Sequence, residues 1–487
     1  MRQTRRSLCR RPAGVALSAA LLAAGLQLGA APGARAGTAV PDNWIVVLKE
    51  PAGASGADVP AVARELVGRA EGARLGHVYR AALHGFSARM TRAQAVRTAA
   101  DPRVALVRED ARVTLAGQDT RVALAGQDAR VRPDAPRQRP ATVDQARVQG
   151  RARDRVQDQA RDRVQDQARD RVQDQARGRV QDQARDRVQD RARISSARAR
   201  LPHVDETQPN APWGLDRIDQ RRLPLSTTYT YRTTAPDVGV YVIDTGLRTS
   251  HQEFGGRASV GVDTVGDGQG GNDCNGHGTH VGGVAAGATY GVAKQARLVA
   301  VRVLGCQGSG TVSGVVAGVD WVTANATKPA VANMSLGGGA SDIIDRAVRG
   351  SIASGVTYTV SAGGSGQSGG ACSSSPARVP EAVTVGGSDR SDRVTPSSNH
   401  GECVSLFAPG DRVPSAWKDG DTASATLSGT SMATAHAAGA AALHLGLRPA
   451  DTPAQVKRGL VDNATTGVLQ GGRPVVPDRL LYTLYLP

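Results

Sequence analysis

Between residues 207 and 487 the chain alternates near-continuous apolar stretches with stretches of helical spacing, and no other feature constrains its fold as strongly. Strands buried on both faces have continuous apolar sequences, and strands joined by helices pair in parallel. The sequence therefore predicts an α/β fold in three layers, with a mostly parallel central sheet between helices. The predicted strands are 238–243, 297–303, 330–335, 356–360 and 382–385, and the predicted helices are 277–286, 310–325, 343–354 and 431–445.

Three motifs in this region place an acid, a base and a hydroxyl in the chain order Asp, His, Ser. Asp244 follows the apolar run VYVI, His277 lies in NGHGTH, and Ser431 lies in SGTSMATAH. Serine is a weak nucleophile until a histidine accepts its proton, and that histidine needs a carboxylate to fix its tautomer. We therefore predict a catalytic triad for acyl transfer, with the Ser431 backbone N–H at a helix N-terminus as an oxyanion donor.

Two other interpretations of these motifs are disfavoured. Asp244-Thr245-Gly246 also matches aspartic proteases, but that chemistry needs a second such aspartate, and the sequence has no other Asp-Thr-Gly or Asp-Ser-Gly. His277 and His280 lack the intervening glutamate of a metalloprotease helix.

The first 36 residues have the pattern of a secretion signal. Arginines precede an Ala- and Leu-rich run at 15–31, and Ala34-Arg35-Ala36 supplies a small-residue cleavage site. A membrane anchor is the alternative, but the run is short and interrupted. No later stretch is apolar for long enough to span a bilayer. We predict a signal peptide over 1–36, secretion, and no membrane span.

Four of the five cysteines lie beyond this signal: Cys274, Cys306, Cys372 and Cys403. In a secreted protein an even number of cysteines predicts two disulfide bonds, with three possible pairings. A zinc site is the alternative, although no two cysteines have CxxC spacing.

The formal net charge of +16 is concentrated outside the C-terminal domain. Residues 207–487 contain 22 Lys and Arg against 21 Asp and Glu, so this domain is nearly neutral. Non-specific binding of nucleic acid requires a basic surface. We therefore expect no nucleic-acid partner, and we expect a monomer.

Residues 37–115 have the pattern of a small α+β domain. Apolar strand-like stretches at 43–49, 83–90 and 104–109 alternate with helical spacing at 59–70 and 93–100.

Residues 116–206 are of low complexity. The octapeptides RVTLAGQD at 112–119 and RVALAGQD at 121–128 are near copies, and an octad close to RVQDQARD then repeats through 155–194. Eight residues at about 100° each advance the valine by roughly 80° per repeat, so no apolar stripe persists and a coiled coil is disfavoured. We interpret this segment as a solvated linker. A partner-binding or surface-tethering role is the alternative.

Residues 207–487 resemble the subtilisin-like serine peptidases, in particular the proteinase K branch. The resemblance rests on APWGLDRIDQ, VYVIDTG, CNGHGTHVGG, VANMSLGGG, LFAPG and SGTSMATAH. It implies a subtilisin-like fold and a secreted endopeptidase that acts on protein or peptide substrates. Residues 37–115 resemble the inhibitory propeptide of that family, which assists folding, inhibits the enzyme within the same chain and is then cleaved.

The resemblance also implies roles for individual residues. It pairs Cys274 with Cys306 and Cys372 with Cys403. It implies that one segment pairs with the substrate backbone like an added strand, namely Gly308, Ser309 and Gly310. It also implies that two segments line the S1 pocket, namely Ser335, Leu336 and Gly337, and Ser361, Ala362 and Gly363.

Calcium is the cofactor that the resemblance implies. The ligands would be Asp216, Asp219 and Gln220, which match a pattern of the family. The alternative for the two aspartates is charge complementation at a helix N-terminus.

The sequence departs from the family at three positions. Gly364 stands where the family has an oxyanion-hole asparagine, and Ala435 replaces a proline. Ser405 replaces an aspartate that, with the carbonyls of Pro380 and Ala382, binds calcium in the family. We therefore expect reduced activity. The alternative is a catalytically silent binding or surface protein with the same fold.

Overall fold

The computed structural model describes residues 38–49, 58–115, 123–124, 205–471 and 475–485. The predicted signal peptide and almost all of the predicted linker lie outside these residues. Within the described ranges, no helix is long and apolar enough to cross a membrane.

The N-terminal domain is an antiparallel sheet with two helices on one face. Its strands pair in the order β4-β1-β3-β2, and side chains of both helices share a buried cluster with the sheet. The α+β prediction is confirmed, and the strand predicted at 104–109 extends to Leu115. The elements are β1 (Ala39–Leu48), α1 (Val59–Gly68), β2 (Arg74–Tyr79), β3 (Gly85–Arg89), α2 (Arg92–Ala99) and β4 (Val104–Leu115).

The remaining elements follow in chain order. The strands are β5 (Ala123–Leu124), β6 (Glu206–Pro209), β7 (Thr228–Tyr231), β8 (Gly239–Asp244), β9 (Ala258–Asp263), β10 (Arg297–Arg302), β11 (Ser309–Thr311), β12 (Ala330–Met334), β13 (Leu336–Gly339), β14 (Thr357–Ser361), β15 (Ser374–Ser375), β16 (Val383–Ser388), β17 (Leu406–Pro409), β18 (Val413–Ala416) and β19 (Ser424–Leu427). The helices are α3 (Trp213–Ile218), α4 (His277–Ala286), α5 (Val312–Asn325), α6 (Asp342–Ala353), α7 (Thr430–Leu447) and α8 (Pro453–Asp462).

The central sheet is parallel and covered on both faces, as the apolar runs predict. Among the described residues it has seven strands in the order β17-β16-β14-β12-β8-β10-β9. In β8, Val240 and Val242 join the buried cluster formed with α4 and α7, whereas Tyr241 and Ile243 join the cluster formed with α5 and α6. The three-layer fold is therefore confirmed.

One predicted helix begins later than expected. The helical spacing predicts a start at residue 310, but 309–311 form the edge strand β11, and α5 begins at Val312. Thr311 caps the helix, since its side chain accepts a hydrogen bond from the Gly314 N–H. The pairing of β11 with β4 explains the difference, because that partner lies some 200 residues away in the sequence.

The two domains share one sheet. The C-terminal end of β4 pairs with β11 on one side and with β13 on the other. Strand β5 pairs with β19 and extends the β18–β19 hairpin. These pairings place the end of the N-terminal domain against the loops that follow the central strands.

Candidate active site

Asp244 and His277 are in direct contact. Asp244 ends β8 and His277 begins α4, and 2.7 Å separates Asp244 Oδ1 from His277 Nδ1. Both side chains are fully buried. The Thr245 N–H also donates to Asp244 Oδ1, at 2.8 Å. The carboxylate thus orients the imidazole, whose Nε2 has no hydrogen-bond partner among the described residues.

Ser431 lies in the first turn of α7, where backbone N–H groups and the helix dipole favour negative charge. Its Oγ donates to the Ser335 carbonyl at 3.2 Å, and Ser335 Oγ donates to the Ser431 carbonyl at 2.9 Å. The neighbouring Thr430 Oγ1 lies 2.6 Å from Ser361 Oγ. The ends of β12 and β14 therefore meet at the start of this helix.

Asp273, which the sequence analysis missed, ties the acid strand to the histidine helix. Its buried carboxylate accepts hydrogen bonds from the Gly276 N–H at 2.7 Å and the Thr279 N–H at 2.8 Å. It also accepts one from Thr245 Oγ1 at 2.9 Å. Burial raises the pKa of Asp273, and these hydrogen bonds oppose the rise. An aspartate just before a helix is a capping signal, and it could have indicated this residue.

The chain's own strand β4 lies along β11. Gly310 is opposite Val113, and the Leu115 N–H donates to the Gly308 carbonyl at 3.1 Å. The predicted groove strand 308–310 therefore makes main-chain contacts of the kind that an added peptide strand makes.

Strand β13 flanks the other side of β4. Leu336 is opposite Leu115, and Gly337 is opposite Thr114. Ser335, the residue before this strand, contacts Ser431 as described above. The predicted groove strand 308–310 and part of the predicted S1 segment 335–337 thus both lie against the same stretch of the N-terminal domain.

Two carboxylates join the domains away from the groove, and the sequence did not predict either. Asp320 of α5 accepts the backbone N–H groups of Arg80, Ala81 and Ala82 at 2.7–3.0 Å. Asp110 belongs to the N-terminal domain and is fully buried. Its carboxylate accepts hydrogen bonds from the Ser313 N–H at 3.0 Å and from Ser313 Oγ at 2.6 Å. The N-terminal domain is therefore bound at positions other than the groove.

The predicted S1 segment 361–363 runs into a loop that Asn399 holds. The buried amide of Asn399 donates from Nδ2 to the Ala362 carbonyl at 2.8 Å. Its Oδ1 accepts from Ser365 Oγ at 2.8 Å and from the Gln367 N–H at 3.0 Å. Gly364 lies within this loop and has no side chain that could donate a hydrogen bond.

The two other departures from the family have different structural consequences. Helix α7 runs from Thr430 to Leu447 through buried Ala435 without interruption. Beside Ser405, the ammonium of Lys457 donates to the Pro380 carbonyl at 2.6 Å and to the Ala382 carbonyl at 2.8 Å. A lysine thus faces the two carbonyls to which the family resemblance assigns calcium.

Replacing Lys457 with methionine is expected to destabilise the protein by about 2–3 kcal/mol, because two hydrogen bonds from a charged donor are lost. Thermal unfolding of the Ser431→Ala protein, with and without a chelator, measures the change. The loss should be the same in both conditions. Lys418→Met is the matched control, since its ammonium pairs with a half-exposed carboxylate. A Lys457→Met protein as stable as this control would contradict the prediction.

The predicted calcium ligands lie together at α3. Asp216 lies in the first turn of α3, and its Oδ1 and Oδ2 accept the N–H groups of Ser226 at 2.9 Å and Thr227 at 2.7 Å. Asp219 Oδ2 accepts from the Thr230 N–H at 2.6 Å. Its buried Oδ1 has no hydrogen-bond partner in the described part of the chain.

Gln220 lies beside these aspartates, and its Nε2 donates to the carbonyls of Arg222 and Pro224 at 2.7 and 2.8 Å. The unpaired Asp219 oxygen fits a hard cation, because such ions prefer carboxylate ligands. Among the three predicted ligands, Asp219 is the one with a buried carboxylate oxygen that lacks a hydrogen-bond partner among the described residues.

Two buried histidines near the site are held neutral. Burial, with a smaller contribution from His277, lowers the pKa of His280 to about 3, and burial lowers that of His436 to about 4. His280 Nε2 donates to the Val413 carbonyl at 3.0 Å, which joins α4 to the β18–β19 hairpin. Both values lie below the ordinary 6.5.

Stability is therefore expected to fall as the pH drops from 6.5 towards 4. The unfolded chain binds protons there that the folded protein does not, which costs roughly 1.4 kcal/mol per pH unit for each histidine. Chemical unfolding of the Ser431→Ala protein at a series of pH values measures this slope. His280→Gln should reduce it, whereas His400→Gln, at a partly exposed position, serves as the control. An unchanged slope in His280→Gln would contradict the assignment.

The four cysteines form the disulfide bonds Cys274–Cys306 and Cys372–Cys403. These are the pairs that the family resemblance implies. The zinc alternative is wrong, because disulfide sulfurs are not available as thiolate ligands.

Comparison with known proteins identifies relatives of both domains. The profile described as "Subtilase family" matches residues 236–478, and "Peptidase inhibitor I9" matches residues 43–116. The chain is 53% identical over 276 residues to "Extracellular serine proteinase" of Thermus sp. (strain Rt41A), which covers 57% of this chain and 67% of that relative. It is 47% identical over 250 residues to "Proteinase T" of Parengyodontium album, which covers 50% of this chain and 83% of that relative.

A solved structure of a serine proteinase is also similar to this chain. "Crystal structure of a cold adapted subtilisin-like serine proteinase" superposes with a TM-score of 0.55 at 51% sequence identity. The match covers 56% of this chain and 99% of that one.

Proposed function

Because the chain belongs to the subtilase family, we propose that it is a secreted serine endopeptidase, made as a zymogen, that hydrolyses protein or peptide substrates. The observation that carries the proposal is the buried pair Asp244 and His277, 2.7 Å apart. Helix α4, which His277 begins, packs against α7, whose first turn contains Ser431. Two groove strands beside that serine already pair with a peptide strand of the same chain.

In the proposed mechanism Ser431 Oγ attacks the substrate carbonyl while His277 Nε2 takes the serine proton. The Asp244 carboxylate keeps the histidine in the correct tautomer and stabilises the imidazolium. The histidine then gives that proton to the leaving amine, which departs and leaves an acyl ester on Ser431. A water molecule, deprotonated by the same histidine, hydrolyses the ester and restores the serine.

The proposed site lacks one of the hydrogen-bond donors that would stabilise the negative charge of the oxyanion. The Ser431 N–H at the start of α7 supplies one donor to the oxyanion. A second donor from a side chain at position 364 is missing, because that residue is glycine. The Ser365 hydroxyl does not replace it, since it donates to Asn399 Oδ1. We therefore propose a reduced turnover rate.

The N-terminal domain would be the inhibitor of this enzyme within the same chain. Its strand β4 fills the groove, and Asp110 and Asp320 bind it at two further places. A peptide substrate cannot pair with β11 and β13 while β4 occupies both. We propose that cleavage and removal of this domain expose the groove of a monomeric enzyme.

Hydrolysis of a protein substrate by the purified full chain tests the proposed function. We expect casein to be cleaved after a lag, with activity appearing as the N-terminal domain is lost. Addition of the purified N-terminal domain should suppress that activity. A folded chain that sheds the N-terminal domain without hydrolysing casein would overturn the proposal.

A catalytically silent binding protein is the second candidate, and Gly364 is the observation that favours it. This candidate predicts that the precursor stays intact between residues 115 and 205 at every time point. Serine hydrolysis predicts spontaneous cleavage there. Electrophoresis of the purified chain separates the two candidates.

Calcium is proposed as a structural cofactor at Asp219, with Asp216 and Gln220 beside it. Binding at 100 times the dissociation constant would add about 2.7 kcal/mol to the stability of the folded state. We expect a chelator to lower the melting temperature of the Ser431→Ala protein by several degrees. Asp219→Asn should remove most of this dependence, and exposed Asp237→Asn should retain it. Full dependence in Asp219→Asn would contradict the site.

A further inference from the structure

The peptide that lies in the groove occurs twice in the chain. Residues 112–119 are RVTLAGQD and residues 121–128 are RVALAGQD, separated by Thr120. The two octapeptides differ at one position only, where the first has Thr114 and the second Ala123. An inhibitory strand needs one copy, so the second requires its own explanation.

The two copies differ at a position whose side chain is exposed in the first copy. In the first copy, Val113 is 2% exposed and belongs to the buried cluster under α5. Leu115 packs against Gly308, where an added Cβ would lie 2.7 Å from Leu115 Cδ1. Thr114, between them, is exposed. The second copy repeats the valine and the leucine, and it therefore offers the groove the same two apolar side chains.

The register of the first copy identifies the bond nearest to the nucleophile. Leu336 is opposite Leu115 in an antiparallel ladder. In the sequence Ala116 follows Leu115, and Ser335 precedes Leu336. The Ser335 carbonyl accepts the hydrogen bond from Ser431 Oγ at 3.2 Å. If this register continued by one residue, the peptide bond that follows Ala116 would be the one presented to Ser431.

The second copy is paired near the same site. The backbone of Ala123 and Leu124 pairs with Thr426 and Ala425 of β19. Strand β19 ends at Leu427, four residues before Ser431. The described residues of both copies are therefore paired with strands of the C-terminal domain, 112–115 with β11 and β13 and 123–124 with β19.

We propose that residues 121–128 are a second substrate segment for the same groove. After cleavage of Ala116–Gly117, β4 leaves the groove. This segment then leaves β19, enters the groove in the register of the first copy, and is cut between Ala125 and Gly126. The inference rests on the proposed endopeptidase function. It makes maturation a two-step process, in which the groove opens to other substrates only after both copies have been cut.

The chemistry of the second cut is that of ordinary peptide hydrolysis. Ser431 Oγ forms an ester with the Ala125 carbonyl as the Ala125–Gly126 bond breaks. The serine proton passes through His277 to the leaving Gly126 amine. One water then hydrolyses the ester, which leaves a carboxylate on Ala125 and restores the serine.

Time-resolved N-terminal sequencing of the purified full chain tests the inference. We expect a new terminus at Gly117 first and a terminus at Gly126 later. Leu124→Asp should slow the second cut at least tenfold and leave the first unchanged, because the groove site filled by Leu115 is apolar. Thr120→Asp, between the copies, is the matched control and should give both termini at the wild-type rates.

Hydrolysis of a chromogenic peptide in the same samples separates the inference from the proposed function. A chain that cuts Ala116–Gly117 and hydrolyses the peptide but keeps Gly117 as its final terminus overturns the inference alone. The inference is also overturned if Leu124→Asp forms the Gly126 terminus as fast as the wild type. A chain that makes neither cut and hydrolyses no peptide overturns both.

Discussion

Replacing Ser431 with alanine is expected to leave the precursor uncut between residues 115 and 205 and to lower peptide hydrolysis about 10⁶-fold. This is the size measured for loss of the nucleophile in subtilisin, a member of the same family. The physical reason is that alanine has no oxygen with which to attack the substrate carbonyl. Electrophoresis of the stored protein and initial rates with a peptide substrate measure the two effects.

Ser397→Ala is the matched control for this change, because Ser397 is exposed on another loop. Ser397→Ala should cleave its own precursor and hydrolyse the peptide substrate at the wild-type rates. Cleavage between residues 115 and 205 that continues in purified Ser431→Ala would show that Ser431 is not the nucleophile.

Replacing Gly364 with asparagine is expected to raise kcat about 10²- to 10³-fold, equivalent to about 2.7–4 kcal/mol of transition-state stabilisation. The figure is that for removal of the equivalent asparagine in subtilisin, a relative of this protein. The added amide would supply the second oxyanion donor that glycine lacks. Since the amide acts on charge that develops during the reaction, kcat should change much more than KM.

Gly364→Leu is the matched control for this variant, because the leucine side chain also branches at Cγ but has no N–H to donate. It should give no gain in kcat. If Gly364→Asn is as slow as the wild type while it remains folded, the oxyanion already has a second donor, and the prediction of reduced turnover is wrong.

The fold was predictable because its strongest signals are local. Buried parallel strands such as 239–244 and 330–334 are short apolar runs, and helices such as α4 begin beside glycines and short polar motifs. These patterns depend only on residues that are adjacent in the sequence, so they can be recognised without the tertiary structure. The motifs around Asp244, His277 and Ser431 are local in the same sense, so the hypothesis of a catalytic triad could be made from the sequence.

The supporting residues were not predictable, because their roles depend on partners far away in the sequence. Asn399 acts on a loop about 35 residues earlier, and Lys457 acts on carbonyls some 75 residues earlier. Asp320 binds backbone N–H groups of another domain. In each case the side chain is an ordinary polar residue in the sequence, and only the packing brings it to its partners.

Strand β11 is an intermediate case. The run that begins at Gly310 has helical spacing, yet 309–311 are extended because β4 supplies a pairing partner. The resemblance predicts substrate binding at this segment, whereas periodicity alone extends the helix into it. Local propensity gives way here to a long-range main-chain ladder.

Labelling with a fluorophosphonate tests the central claim most directly. The reagent reacts with a serine only when a neighbouring base activates it, and it does not require the full rate of peptide turnover. After removal of the N-terminal domain, mass spectrometry of the folded protein should find one label, on Ser431, and His277→Ala should abolish it. A folded, propeptide-free protein without a label on Ser431 would contradict the account.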